Sequence, residues 1–139
     1  MGLILDSSIL IAYERGKFDL AGFLQQFPAP QPLITAISAS ELLHGIERAQ
    51  DPVRRAWRQN KVEHAIASML VQTFDLARAR FHARIWADLE VRGLMIGQHD
   101  LQIAAAGLAL GHEVATLNAR EFNRVTGLKV VDATPFRRP

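Results

Sequence analysis

The sequence predicts an α/β protein: three layers, with a mostly parallel sheet of about five strands between helices. Three observations carry that expectation. Short apolar runs alternate with helical patterns along the whole chain. The runs are continuous rather than alternating, as expected of strands covered on both faces. One helical stretch, Leu101 to Leu110, is apolar almost all round and is expected to be buried. The 139 residues hold no linker, repeat or low-complexity segment, so a single domain spanning 1–139 is expected.

The elements follow in order. Residues 2–6 read as a first strand, and Asp6 or Ser7 caps a helix that runs to about Arg15 and stops at Gly16. Residues 18–27 have helical apolar spacing, and Pro28, Pro30 and Pro32 break the chain into a loop. Leu33 to Ala36 reads as a second strand. Ser38-Ala39-Ser40-Glu41 opens a helix to about Ala49. Asp51-Pro52 starts the next helix, with Asp as cap and Pro at the first helical position, and it runs to about Leu70. Its Arg54, Arg55, Arg58 and Lys61 read first as a solvated face and second as a binding face. Val71 to Phe74 is a third strand, and Asp75 caps a helix that ends at Gly93. Asp100 opens the almost wholly apolar helix, which Gly111 stops. Glu113 to Leu117 is a fourth strand ending at Asn118, a short helical turn holds Glu121, and Leu128 to Val131 is a fifth strand. The tail from about 135 to 139 is expected to be loose.

Composition narrows the function. Cysteine is absent, which excludes disulfides and thiolate metal sites. No apolar run is long enough to span a membrane, and the N-terminus lacks the pattern of a signal peptide, so a cytoplasmic protein with no membrane partner is expected. The net charge is only +2 although the pI is about 9.5, because 13 of the 16 basic residues are arginine. Arginine is the better bidentate ligand for phosphate.

The polar residues converge. In an open parallel sheet, strand ends and the helix starts that follow them share one edge, where ligands bind. Asp6 ends the first strand, Glu41 lies in the first turn after the second, Asp100 opens the buried helix, and Asn118 and Glu121 follow the fourth strand. Each has an ordinary structural reading. Asp6 and Asp100 can be helix caps, Ser38 with Glu41 can be a capping box, Asn118 can be a turn residue and Glu121 a surface acid. Yet Asp6, Glu41 and Asp100 all sit in apolar sequence, where an unpaired buried charge is costly. Clustered carboxylates raise at least one pKa, and a divalent cation relieves the conflict. Oxygen ligands without cysteine suit Mg²⁺ or Mn²⁺, which points to phosphoryl chemistry. Ser7 and Ser8 lack a paired base, and His99 reads as an ordinary loop histidine.

Four segments in order resemble the PIN domains, and within them the VapC-type toxin ribonucleases of type II toxin–antitoxin pairs. They are Leu5-Asp6-Ser7-Ser8-Ile9-Leu10, Ser38 to Gly45 with its Glu-Leu-Leu-His-Gly, Ile96 to Ala105 with its Gly-Gln-His-Asp, and Thr116 to Phe122 followed by Gly127-Leu128. The resemblance implies a three-layer α/β/α PIN-like fold, with Asp6, Glu41 and Asp100 at the family's acidic positions and Asp6 and Asp100 as direct metal ligands. It implies Mg²⁺ or Mn²⁺, an RNA substrate, a homodimer and a small cognate antitoxin protein. The family's last acidic position is often Asp. Here Glu121 stands as the fourth acid, and Asn118, Ser7 and Ser8 as supports. The expected function is metal-dependent endoribonuclease, the toxin of such a pair. The alternative is a catalytically inactive binding module of the same fold. An aspartyl-phosphate phosphatase is disfavoured, because that chemistry wants an acid two residues after Asp6 and position 8 is Ser.

Overall fold

The computed structural model describes residues 2–28 and 31–139, so Pro30 of the expected proline-rich break lies outside the described residues. The elements run β1 (Leu3–Leu5), α1 (Ser7–Glu14), α2 (Leu20–Gln26), β2 (Leu33–Thr35), α3 (Ala36–Arg48), α4 (Pro52–Ala67), β3 (Leu70–Gln72), α5 (Leu76–Arg92), α6 (Gln98–Leu110), β4 (Glu113–Thr116), α7 (Ala119–Phe122) and β5 (Val130–Asp132). A short 3-10 helix, Thr134–Phe136, follows. Among the described residues no helix is long and apolar enough to cross a membrane.

The sheet has the order β3-β2-β1-β4-β5, and every described pairing is parallel. The order reverses direction between β1 and β4, which makes their carboxyl ends the switch point where open α/β sheets place ligands. Alternation along each strand splits the core into two layers. Leu3 and Leu5 of β1, Ile34 of β2 and Ala115 of β4 face one layer with Ile9, Leu10, Phe23, Leu42 and Val62. Ile4, Leu33 and Val114 face the other, with Ile85, Leu89, Leu101, Ile103 and Phe122. The three-layer α/β/α expectation holds.

Cap chemistry sets most helix boundaries. Asp51 accepts a hydrogen bond from Arg54 N and Asp75 from Arg78 N, as read from the sequence. Gly93 and Gly111 end α5 and α6 at φ +67°, the left-handed region that favours glycine. Gly107 brings α6 close to the sheet: a Cβ there would lie 2.8 Å from Leu128 Cδ1 and 2.9 Å from Val114 Cγ2.

Four expectations are corrected. The helix after β2 starts at Ala36, because Thr35 caps it and accepts from Ser38 N; Ser38 and Glu41 form no capping box, and Glu41 lies in the second turn. The apolar helix starts at Gln98 after Gly97, so Asp100 sits in its first turn without capping it. The basic residues of α4 are not a free solvated face. Arg55 reaches Ile46 O and Glu47, Arg58 Nε lies 2.6 Å from buried Glu14, and Lys61 donates to Glu14 O, so three of the four tie α4 to α1 and α3.

The fourth correction concerns the tail. Phe136 packs on Phe18, Phe23 and Phe27 with ring centroids 5.3–6.5 Å apart. Asp19 N donates to Phe136 O, Arg138 N donates to Lys17 O, and Phe18 bridges Arg137 in antiparallel fashion. The last residues are therefore anchored, because an aromatic side chain follows the apparent proline break and fills an aromatic cluster. Phe136→Ala should lower unfolding stability by about 2 kcal/mol, less than a fully buried phenylalanine because Phe136 is half-buried. Urea denaturation checks this; an unchanged midpoint would mean the tail is not anchored.

Candidate active site

The register of β1 on β4 builds the centre of the site. Leu5 pairs with Ala115, and Asp6 N donates to Ala115 O at 2.9 Å, so the next residues along, Asp6 and Thr116, stand side by side. Both are buried. The Thr116 hydroxyl donates to Asp6 Oδ2 at 2.8 Å and accepts from Asn118 N at 2.9 Å. The Ser8 hydroxyl donates to the same Oδ2 at 2.7 Å and accepts from Leu117 N at 3.1 Å. A hydroxyl has one proton. Both protons are committed to Asp6 Oδ2, and the backbone amides from the β4 end fix their direction. Among the described residues, Asp6 Oδ1 is left buried without a hydrogen-bond partner.

Asp6 occupies the position before α1 but its side chain caps nothing there, so the cap reading of Asp6 fails as it does for Asp100. Both carboxylates are free of the ordinary structural duty that the sequence allowed them. Glu41 is free of its capping box for the reason given above. Its Oε1 accepts from Ser7 Oγ at 3.1 Å and lies 3.5 Å from His99 Nδ1.

Asp100 shows that these acids converge. Burial pushes its carboxyl up from 3.8 to about 6, and the negative charges of Asp6, Glu121 and Glu41 push the same way, while His99 opposes them. Acids from the end of β1, from α3 and from α7 thus all act electrostatically on Asp100 in α6. Glu121 is half-buried in the first turn of α7. Asn118 is exposed and makes no side-chain cap bond; its contribution is the backbone amide on Thr116.

Among the described residues, no three His, Cys, Asp or Glu side chains close around one point as a ready metal cage. The donor set is an open cluster. It still fits a hard cation, because Mg²⁺ keeps several waters and needs only one or two carboxylates from the protein. The orphaned Asp6 Oδ1 is the atom that most needs such a partner, since an unsatisfied buried carboxylate oxygen is costly.

Two residues of the cluster carried weaker signals in the sequence. Thr116 was legible as part of the fourth strand and of the last resembling segment but not as a site residue, and its hydroxyl becomes a site group through strand register. His99 lies in the first turn of α6 rather than in a loop, and so comes within reach of Glu41.

The raised Asp100 value has a thermodynamic consequence. Below the unfolded value of 3.8 both states hold the proton. As pH rises through about 6 the native carboxyl is made to ionise against its neighbours, and stability falls. In chelator, Asp100→Asn should therefore melt higher than the parent at about pH 7.5, and the gap should close near pH 4. Melting temperatures that differ equally at both pH values would contradict the clustering.

The PIN-domain family model matches residues 3–128. The ribonuclease VapC1 of Rickettsia felis is 35% identical over 131 residues, covering 94% of this chain and 96% of its own. The ribonuclease VapC of Rickettsia bellii is 34% identical over the same shares. The DNA-bound VapBC structure from Salmonella typhimurium matches with a TM-score of 0.84 at 27% identity, covering 95% of this chain and 98% of that one. With matching sequence, fold and order of segments, the chain belongs to the PIN-domain family and, within it, to the VapC-type toxins of type II toxin–antitoxin pairs.

Proposed function

We propose that the protein is a metal-dependent endoribonuclease, and that Asp6, Glu41, Asp100 and Glu121 form its reaction centre with Mg²⁺ or Mn²⁺. The observation that carries this reading is the division of labour within Asp6: one oxygen is clamped by two hydroxyls and the other is buried and, among the described residues, unpartnered, while Asp100 feels the charges of Asp6, Glu121 and Glu41. Relatives named as ribonucleases support the reaction class.

Asp6 and Asp100 would hold the cation directly. When bound, it supplies Lewis-acid stabilisation of the phosphate oxygens and acidifies the attacking water. Ser8 and Thr116 keep the Asp6 carboxylate in one orientation. Glu41, held by Ser7, orients water on the opposite side of the cluster from Thr116's strand, and its neighbour His99 is placed to assist in the same role. Glu121 completes the negative field from α7. The Ser8 and Thr116 hydroxyls both donate to Asp6 and serve to orient it. Water is the attacking group in this account.

The remaining assignments are proposals of the same reading. The protein works on RNA in the cytoplasm, as a homodimer, and is held inactive by a small cognate antitoxin. The VapBC assembly of Salmonella typhimurium supports the last of these by analogy.

RNA cleavage tests the reading. The parent should cut RNA with Mg²⁺ or Mn²⁺ and stop in EDTA. Asp6→Asn and Asp100→Asn should each lose about 100-fold or more. Thr116→Val should bind the metal roughly 10-fold more weakly, as expected for a group that orients a ligand. Cleavage at the parent rate by both carboxylate variants would reject the site.

A further inference from the structure

The arginine excess is not spread evenly over the surface. A cavity of about 640 Å³ opens beside Ser8 and is lined by Arg15, Lys17, Arg137 and Arg138 with no acidic side chain among its lining residues. A second cavity, about 300 Å³, holds Glu41 and His99 together with Arg15 and Arg48. A third, about 450 Å³, continues from Arg15 and Arg48 to Arg54. Arg15 lines all three, so they form one track along the end of α1. The carboxylate cluster meets this track at Ser8 on one side and Glu41 on the other.

Most of these cations are unspent. Among the described residues, Arg15, Lys17, Arg48, Arg54 and Arg137 have no acidic side chain within ion-pair distance; Arg138 pairs with Asp19. By contrast, Arg55, Arg58 and Lys61 on α4 are used to hold helices together. Arg15 could serve merely to complement the negative end of α1, but that does not account for Lys17 and Arg137. Those two are brought together by the anchored tail, through the bridge of Phe18 to Arg137 and the bond from Arg138 N to Lys17 O. The fold thus holds like charges side by side, a repulsion that a polyanion relieves.

We propose that Arg15, Lys17 and Arg137 form a phosphate track that seats the RNA backbone on the Ser8 side of the reaction centre, continued by Arg48 and Arg54 beyond Glu41. This rests on the ribonuclease reading and adds to it the residues that position the strand. The C-terminal tail is part of the substrate surface, through Arg137. Arginine's planar fork suits phosphate oxygens, and such contacts position a strand without reading its sequence. An acidic segment of a protein is the competing occupant; the continuity of the track past both sides of the carboxylate cluster favours a through-running strand.

Binding of labelled oligouridylate to the full chain in EDTA, followed by fluorescence anisotropy across salt concentrations, tests the track without any cleavage. Arg15→Gln with Arg137→Gln should weaken binding roughly 10-fold or more at low salt and reduce the salt slope by about 1.4. Lys17→Gln alone should reduce the slope by about 0.7. Arg80→Gln with Arg84→Gln, the same charge change on α5, should do neither. Melting temperatures of all variants serve as the folding control. The track is overturned if the two double variants behave alike, or if the parent binds no oligouridylate in EDTA. It is also overturned if oligoglutamate binding is lost in the first double variant while RNA binding is kept. The cleavage assay of the parent stands apart from each of these results, so the track can fail while the ribonuclease reading survives.

Discussion

Two hydroxyls on one carboxylate oxygen hold this site together. Ser8 comes from the helix after β1 and Thr116 from the end of β4, and they meet on Asp6 Oδ2 only because those strands are neighbours in register. The neighbour relation is the switch point of the sheet, the one place where adjacent strands lead their helices to opposite faces. A buried carboxylate there must be satisfied or neutralised. The fold satisfies one of its oxygens and, among the described residues, leaves the other without a hydrogen-bond partner. Slippage of β4 by one residue would turn Thr116 to the other face of the sheet and dissolve the arrangement.

Around that anchor the electrostatics are deliberately unbalanced. Four acids from four elements crowd one edge, and Asp100 registers the crowding in its raised proton affinity. A set of cations runs alongside, and among the described residues most of them have no acidic side chain within ion-pair distance. In the proposed reading the acids hold a cation and the arginines the phosphates of the substrate.

Much of this was legible in the sequence, and the failures have physical causes. Asp6, Glu41 and Asp100 stood out because acids interrupted apolar runs, and the parallel alternation put them on one edge. The start of α3 was misread because Thr35 and Ser38 both carry cap signals, and tertiary placement of the strand end chose Thr35. Thr116 was hidden because a hydroxyl at the end of an apolar run looks like part of the run; only pairing with β1 gives it a partner. The tail was misread because Phe136 lies between prolines and arginines, and its aromatic partners, Phe18, Phe23 and Phe27, are more than a hundred residues away in sequence. The uneven use of the arginines depends on which carbonyls and acids each one meets, which no spacing rule contains.

The central claim is that Asp6 Oδ1 is a metal-facing atom. Anomalous diffraction from crystals soaked in Mn²⁺ locates the ion without reference to activity. The account predicts a peak about 2.1 Å from Asp6 Oδ1, with Asp100 on the same ion, and no peak there in Asp6→Asn. A manganese site elsewhere on the protein, with Asp6 Oδ1 bound to nothing, would contradict it.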